Sequence, residues 1–421
     1  MRTPIFTSFA IAAILAASGQ ALAQYQVTIV NPAATNEAFV NGVGNGSQAG
    51  FASGPATGGN THGFVWNGTA ASAVDVNPLG TYPPNGNPFS GSFLYGAGGG
   101  QQVGFVIAGP LDVATVWAGT AASATFLATP EMINSVAYGT DGVHQVGSAR
   151  IDDPFNGLVT HAFAWAGSPE TAIDIHPDFA FESFANRVQG NVAAGTTASP
   201  DGFYNAVLWT SIDPPVAISL HPADLFESVA TDVAGTQVVG YGYPDGSPNH
   251  ALIWNTDLEG PSDVHPAGYQ SSFLYATNGS QQVGLASTLP DGEGNNHEHA
   301  FVWSSTSASA VDLHELLVAS FPGYTDSQAR GIDAAGNIYG NANISGTGYI
   351  AVRWAPVGGN TCDPDLNQDG NADQGDIDYL VNVVAGGENP TGIDADFNQD
   401  GNVDQGDIDA LINVVAGGDC P

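Results

Sequence analysis

The chain has 421 residues, 43% of them hydrophobic and 10% aromatic, with 55 glycines; this supplies a packed core and excludes an intrinsically disordered protein. Its formal net charge is −36, with five arginines and no lysine. A surface of that sign repels nucleic acid and anionic membrane, so both are excluded as partners.

Residues 1–23 read as a secretion signal: Arg2, an apolar stretch from Ile5 to Ala17, and Ala21-Leu22-Ala23 before Gln24. The stretch is shorter than the roughly 20 residues of a membrane span, and no other segment has the length to cross, so no membrane insertion is expected. The mature protein is expected to be secreted, extracellular and able to associate with a cell surface.

From there to residue 357 the chain repeats. Its seven tryptophans, Trp66, Trp117, Trp165, Trp209, Trp254, Trp303 and Trp354, are separated by 51, 48, 44, 45, 49 and 51 residues. That period is too long for a solenoid rung and suits a four-stranded propeller blade. Three residues before each Trp stands a very small residue: Gly63, Ala114, Ala162, Ala206, Ala251, Ala300 or Ala351. The residues between are mostly apolar, as in Phe64-Val65 and Phe301-Val302, which reads as a strand covered on both faces. Upstream in each unit a glycine recurs (Gly50, Gly104, Gly147, Gly195, Gly240, Gly284, Gly340), predicting close backbone approach or a bulge. Pro-Asp-Gly at 200–202, 244–246 and 290–292 predicts turns between the second and third strands.

The seventh unit stops soon after Trp354 and lacks an outer strand. Val27-Thr28-Ile29-Val30-Asn31-Pro32 matches the fourth-strand segment Ala73-Val74-Asp75-Val76-Asn77-Pro78. The N-terminal segment is therefore expected to complete blade seven and close the ring, removing open sheet edges. The expected fold is an all-β seven-bladed propeller over 24–357, a short linker over 358–361, and a small all-α calcium-binding domain over 362–421.

Histidines recur with the repeat. His62, His161, His250 and His299 lie four residues before a Trp, and His176, His221, His265 and His314 end the outer-strand segments. Asp75, Asp174, Asp263 and Asp312 each follow a Trp by nine residues. Residues at equivalent blade positions point in different radial directions and cannot converge on one catalytic site. They read as caps within each blade, with His–Asp contacts satisfying both groups. His297-Glu298-His299 is the one local cluster of metal-ligand types, and zinc there needs a third ligand from elsewhere. A hydrolase or lyase would draw two carboxylates from loops around the central funnel, with Asp152, Asp153, Asp178, Glu182 and Glu293 as non-repeat candidates.

The tail carries a duplication with a period of 31. The first copy presents Asp365, Asn367, Asp369, Asn371, Asp373 and Asp376; the second Asp396, Asn398, Asp400, Asn402, Asp404 and Asp407. These are oxygen ligands at loop positions 1, 3, 5, 9 and 12, with the backbone carbonyl of Asn371 or Asn402 at position 7 and Gly370 or Gly401 at the sharp turn. Two calcium ions are expected. Each loop leads into an amphipathic helix: Ile377, Leu380, Val381 and Val384 in one, Ile408, Leu411, Ile412 and Val415 in the other. Cys362 and Cys420, the chain's two cysteines, bracket the tail. In an exported protein they read as a disulfide worth about 4 kcal/mol in the chain-entropy model, the alternative being two free thiols.

Two resemblances follow. Duplicated calcium loops, one helix after each, and Asp at position 12 make 362–421 similar to a type I dockerin. The resemblance implies docking to a cohesin-like module, with Gln374-Gly375 and Gln405-Gly406 at the partner-reading positions and two possible docking orientations. His161-Ala162-Phe163-Ala164-Trp165 and His299-Ala300-Phe301-Val302-Trp303 resemble the extracellular repeats named after their His-Ala-Phe triplet, a likeness that covers roughly 36–356 and implies export. The functional expectation is a non-catalytic binding or structural propeller displayed by its tail, with a polysaccharide as possible ligand. The alternatives are a polysaccharide hydrolase or lyase delivered by a dockerin, and a matrix protein cross-linked through calcium.

Overall fold

The computed structural model describes residues 25–44, 46–154, 156–244, 247–255, 260–344, 348–357, 364–367, 372–387, 389, 395, 397–398 and 403–416. The signal segment, the linker 358–361, Cys362, Cys420, Asp369, Asn371, Asp396, Asp400 and Asn402 lie outside these residues. Two compact units divide between Ala355 and Pro356.

The first unit consists of seven four-stranded antiparallel sheets. In blade one the strands run Glu37–Gly44, Ser47–Ser53, Thr61–Trp66 and Val74–Asp75, from the channel outward. The inner strands of the other blades are Phe89–Gly98, Ser135–Thr140, Glu182–Gln189, Leu225–Ala234, Tyr269–Thr277 and Asp326–Ile332. Each inner strand touches that of the next blade, and the seventh touches the first. The ring closes through β1 (Tyr25–Ile29), which is the outermost strand of blade seven. Val30 N donates to Ala351 O at 2.9 Å, the same bond that Val76 N makes to Gly63 O in blade one. Val30 is buried between blades seven and one beside Trp66 and Ala351, so an end-to-end seam is sealed by burial and by main-chain pairing together.

The third strands are buried along the run up to each Trp, as expected for strands covered on both faces, and every repeat Trp is 2% exposed or less. Trp209, Trp254, Trp303 and Trp354 each donate their indole N–H to a carbonyl at the outer edge of the preceding blade, at 2.7–3.0 Å. The repeat glycines face the inner strand. A Cβ built on any of the seven would overlap an inner-strand carbonyl oxygen, Phe273 O in the case of Gly284. Directly after the residue that each glycine opposes, the inner strand bulges, at Val40/Gly42, Leu94/Gly96, Ala137/Gly139, Ala185/Arg187, Ala230/Asp232, Leu274/Ala276 and Ala329/Gly331. Glycine removes the side chain so that the bulge can form, and the bulge turns one extra residue per blade toward the channel.

One element departs from the all-β expectation for this unit: α1 (His314–Ser320) follows blade six and buries Leu317 against blade seven.

The second unit holds α2 (Gln374–Val384) and α3 (Gln405–Val415). Each begins at an Asp N-cap: Asp373 accepts from Gly375 N and Asp404 from Gly406 N, both at 2.7 Å. Leu366, Leu380, Phe397, Ile408 and Leu411 form its core. Val381 and Ile412, expected on the apolar helix faces, are instead 44% exposed.

Candidate functional site

The histidines settle into the blade interfaces. His62, His161, His250 and His299 bond through Nδ1 to Asp75, Asp174, Asp263 and Asp312 at 2.7–2.8 Å. The second set reaches the next blade rather than capping its own: His176, His221, His265 and His314 bond Ser183, Ser228, Ser272 and Ser327 at 2.8–2.9 Å. Each of these serines also accepts the N–H of the small residue three before Trp, at Ala162, Ala206, Ala251 and Ala300. A carbonyl oxygen can only accept, so in His176 and His265, whose Nε2 faces one, Nε2 carries the hydrogen and Nδ1 accepts the serine proton. The Nε2 of His176 and of His265 donates accordingly to Ala180 O and Tyr269 O. Burial holds these four imidazoles below the ordinary histidine value, His314 at about 4. Sequence reading found the histidines; the serines were missed because nothing distinguishes them among many in the chain.

His297, Glu298 and His299 do not converge. His299 is on Asp312, Glu298 accepts from the Gln328 amide, and His297 lies 3.6–3.8 Å from Asp326 and Asp291. Among the described residues no group of three or more His, Cys, Asp or Glu side chains is placed to hold a metal ion. Of the non-repeat carboxylates, Glu182 accepts Thr160 N and Asp153 accepts Asn156 N, while Asp152, Asp178 and Glu293 are exposed.

What the ring does assemble is a cavity of about 670 Å³ at the mouth of the channel, within the ~300–1,000 Å³ range of ligand sites. The bulge residue of every blade lines it: Asn41, Tyr95, Tyr138, Asn186, Thr231, Tyr275 and Arg330. Phe39, Phe51, Phe184, Tyr204 and Tyr241 add aromatic wall, beside Thr196 and Val229. Burial pushes the Tyr95, Tyr138 and Tyr241 phenols up and that of Tyr275 to about 12, so all four stay protonated. Arg330 lies over the Tyr275 ring at 4.2 Å and donates Nε–H to Gln328 Oε1 at 2.9 Å.

Arg187 gives the cavity its floor. Its guanidinium, anchored in blade four, donates to the carbonyls of Tyr138 (2.6 Å), Tyr95 (3.3 Å) and Asn41 (3.4 Å) in blades three, two and one. At the same ring position blades one, two, three and seven carry Gly42, Gly96, Gly139 and Gly331, which leaves room for the brace. Blade five carries Asp232, whose carboxyl accepts Val233 N and Thr277 N and is pushed by burial to about 6, Arg187 pulling the other way. None of these channel residues was singled out from sequence. The available signal is positional: the bulge residue lies nine before each repeat glycine, ten in blade seven, and its identity varies among the blades.

In the tail, Asp376 and Asp407 are fully buried. Asp376 accepts Asn367 N at 3.0 Å and Asp373 N at 2.8 Å; Asp407 accepts Asn398 N and Asp404 N at the same distances. Each carboxylate thus cinches its loop from position 12 back to positions 3 and 9. Residues 362–421 contain fourteen acidic residues and no Lys, Arg or His, so no side chain there neutralises a buried carboxylate, and a hard dication fits that donor set. Gln374 and Gln405 are exposed; Gly375 and Gly406 are half-buried against Asn367 and Asn398.

No family model and no curated protein matches the chain. Among solved structures it is similar to a puromycin-hydrolysing peptidase of Mycobacterium tuberculosis, 13% identical, TM-score 0.51, covering 79% of this chain and 54% of that one. The β-propeller domain of the Trilobed protease from Pyrococcus furiosus aligns at 10% identity and TM-score 0.47, covering 76% and 95%. An oligogalacturonate lyase from Vibrio parahaemolyticus aligns at 11% and 0.47, covering 79% and 97%. The chain spans about half the length of the peptidases it matches, such as an acylaminoacyl peptidase of Pyrococcus horikoshii. No helix among the described residues is long and apolar enough to cross a membrane. The likeness is one of fold: the chain is a seven-bladed β-propeller followed by a small helical unit.

Proposed function

We propose that this is a secreted, non-catalytic binding propeller, displayed on an extracellular assembly or cell surface through a calcium-loaded, dockerin-like tail. The observation that carries the reading is the composition of the channel cavity. Its walls are phenyl rings, phenols, threonine hydroxyls, amides, a valine and two guanidinium groups, which bind but do not exchange protons near neutral pH. Carboxylates near the mouth already accept hydrogen bonds from the protein: Glu182 from Thr160 N, Glu227 from Tyr204 N, Asp326 from Glu298 N and Glu298 from the Gln328 amide.

For the tail, the buried Asp376 and Asp407 support two calcium ions. Asp365, Asn367, Asp369, Asp373 and Asp376, with the carbonyl of Asn371, would hold one; Asp396, Asn398, Asp400, Asp404 and Asp407, with the carbonyl of Asn402, the other. Calcium would supply the countercharge that the tail's own side chains lack and so hold each loop against its helix. Gln374 and Val381 lie two turns apart on one helix face, as do Gln405 and Ile412, and all four are exposed. Two matched faces fit a cohesin-like partner reading either half. Calcium titration of the chelated full-length chain tests the tail: two ions per chain with a gain of helical signal are expected. Absence of calcium binding would overturn the display reading and leave the propeller's role untouched.

A further inference from the structure

The channel cavity carries a reading of ligand class, which rests on the binding role proposed above. Three features decide it. The first is charge. Two of the five arginines face the cavity, and both already donate within the protein: Arg187 to carbonyls of three blades, and Arg330 to Gln328, whose amide is on Glu298. Around the mouth three carboxylates, Glu227, Glu298 and Asp326, act electrostatically on Tyr241, Tyr275 and Tyr349 against the one guanidinium of Arg330. Within a chain of net charge −36 such a mouth disfavours an anion. The second is hydrogen-bond polarity. Asn41 and Asn186 give an amide proton to the carbonyls of Leu94 and Ala230 at 3.1 and 2.8 Å, which leaves each side-chain oxygen as an acceptor. Acceptors of this kind, beside neutral phenols, suit a ligand that brings hydroxyl donors. The third is shape. Aromatic walls offer flat apolar faces, and the Arg187 brace, reaching from blade four to carbonyls of blades three, two and one, stands across the cavity floor in the way of a threading polymer.

We propose that the channel cavity binds the end of a neutral oligosaccharide, sugar faces against the aromatic walls and hydroxyls on Asn41, Asn186 and Arg330.

The test is calorimetric titration of the full-length, calcium-loaded chain with neutral gluco-, xylo- and manno-oligosaccharides and with a uronate oligomer of equal length. At least one neutral series is expected to bind, and to bind about tenfold or more tightly than the uronate. Tyr275→Ala and Arg330→Ala should each weaken it by about tenfold or more, while Tyr275→Phe, which keeps the ring and the packing, should weaken it less. Tighter binding of the uronate would overturn the proposal, as would no neutral binding at millimolar concentration or unchanged affinity in both alanine variants. Release of new reducing ends with affinity intact would refute only the non-catalytic reading and leave the ligand class standing.

Discussion

Ser327 is a single hydroxyl on which two blades depend. It is fully buried, accepts Ala300 N at 3.0 Å and shares a hydrogen bond with His314 Nδ1 at 2.9 Å. Ser327→Ala keeps the backbone and removes one oxygen, leaving a buried N–H and a buried imidazole nitrogen without partners. At about 1–3 kcal/mol for each of the two unsatisfied groups, the loss should be about 2–6 kcal/mol. Blade one shows why the oxygen matters. There Ala38 takes the serine's place, and Asn31 Oδ1 supplies the missing acceptor to Ala351 N at 2.8 Å. The assay is urea unfolding of the full-length chain at pH 7.5, followed by fluorescence of the buried tryptophans. A double-mutant cycle with His314→Phe should return part of the loss, because removing both partners is cheaper than orphaning one. A loss below about 0.5 kcal/mol, the scale of an ordinary surface change, would refute the claim that these serines pin the blades.

Acid should destabilise the propeller. The unfolded chain protonates its histidines near 6.5, whereas the folded chain holds His176, His221, His265 and His314 lower, the last at about 4. Their contribution is therefore complete above pH 6.5 and lost as pH falls toward 4, on the order of 2–3 kcal/mol for His314 alone. Asp232 works in the opposite sense, gaining stability below its raised value of about 6, but it is one group against four. Unfolding measured at pH 7 and pH 5 should show the drop, and equal stability at both would contradict it. Gly284→Ala should cost more than about 3 kcal/mol or prevent folding, since its Cβ would occupy the Phe273 carbonyl; a melt close to that of the parent would refute the bulge argument. Chelation should unfold the tail and leave the tryptophan signal of the propeller in place, and Asp376→Ala should remove one of the two ions; an unaltered helical signal in chelator would count against both loops.

Periodic features were legible in the sequence because the fold applies the same constraint seven times. Tryptophan, the small residue before it and the repeat glycine recur since each blade needs a packed third strand and a bulged first one. The His–Asp pairs and the closing role of β1 could be read for the same reason: Val27 to Pro32 matches its counterpart in blade one. The cavity was not legible. Its residues sit at the bulge position, where the backbone tolerates Asn, Tyr, Thr or Arg alike, and a site built from one free position per blade leaves no local motif. Arg187 looked like any isolated cation; only the ring brings it within reach of carbonyls 49, 92 and 146 residues away. The serine pins escaped for a related reason, since their partners belong to the neighbouring blade. In the tail, helical periodicity placed Val381 and Ile412 on the apolar face, but two short helices and two loop side chains, Leu366 and Phe397, fill the core without them.

The central claim is that the propeller binds without turning over. Its most direct test is to incubate the full-length, calcium-loaded chain with a broad panel of polysaccharides and measure new reducing ends and unsaturated sugars over time. The account predicts no product from any of them. Release of either product, abolished by substituting a carboxylate at the channel mouth such as Glu227→Gln, would contradict it and make the protein an enzyme.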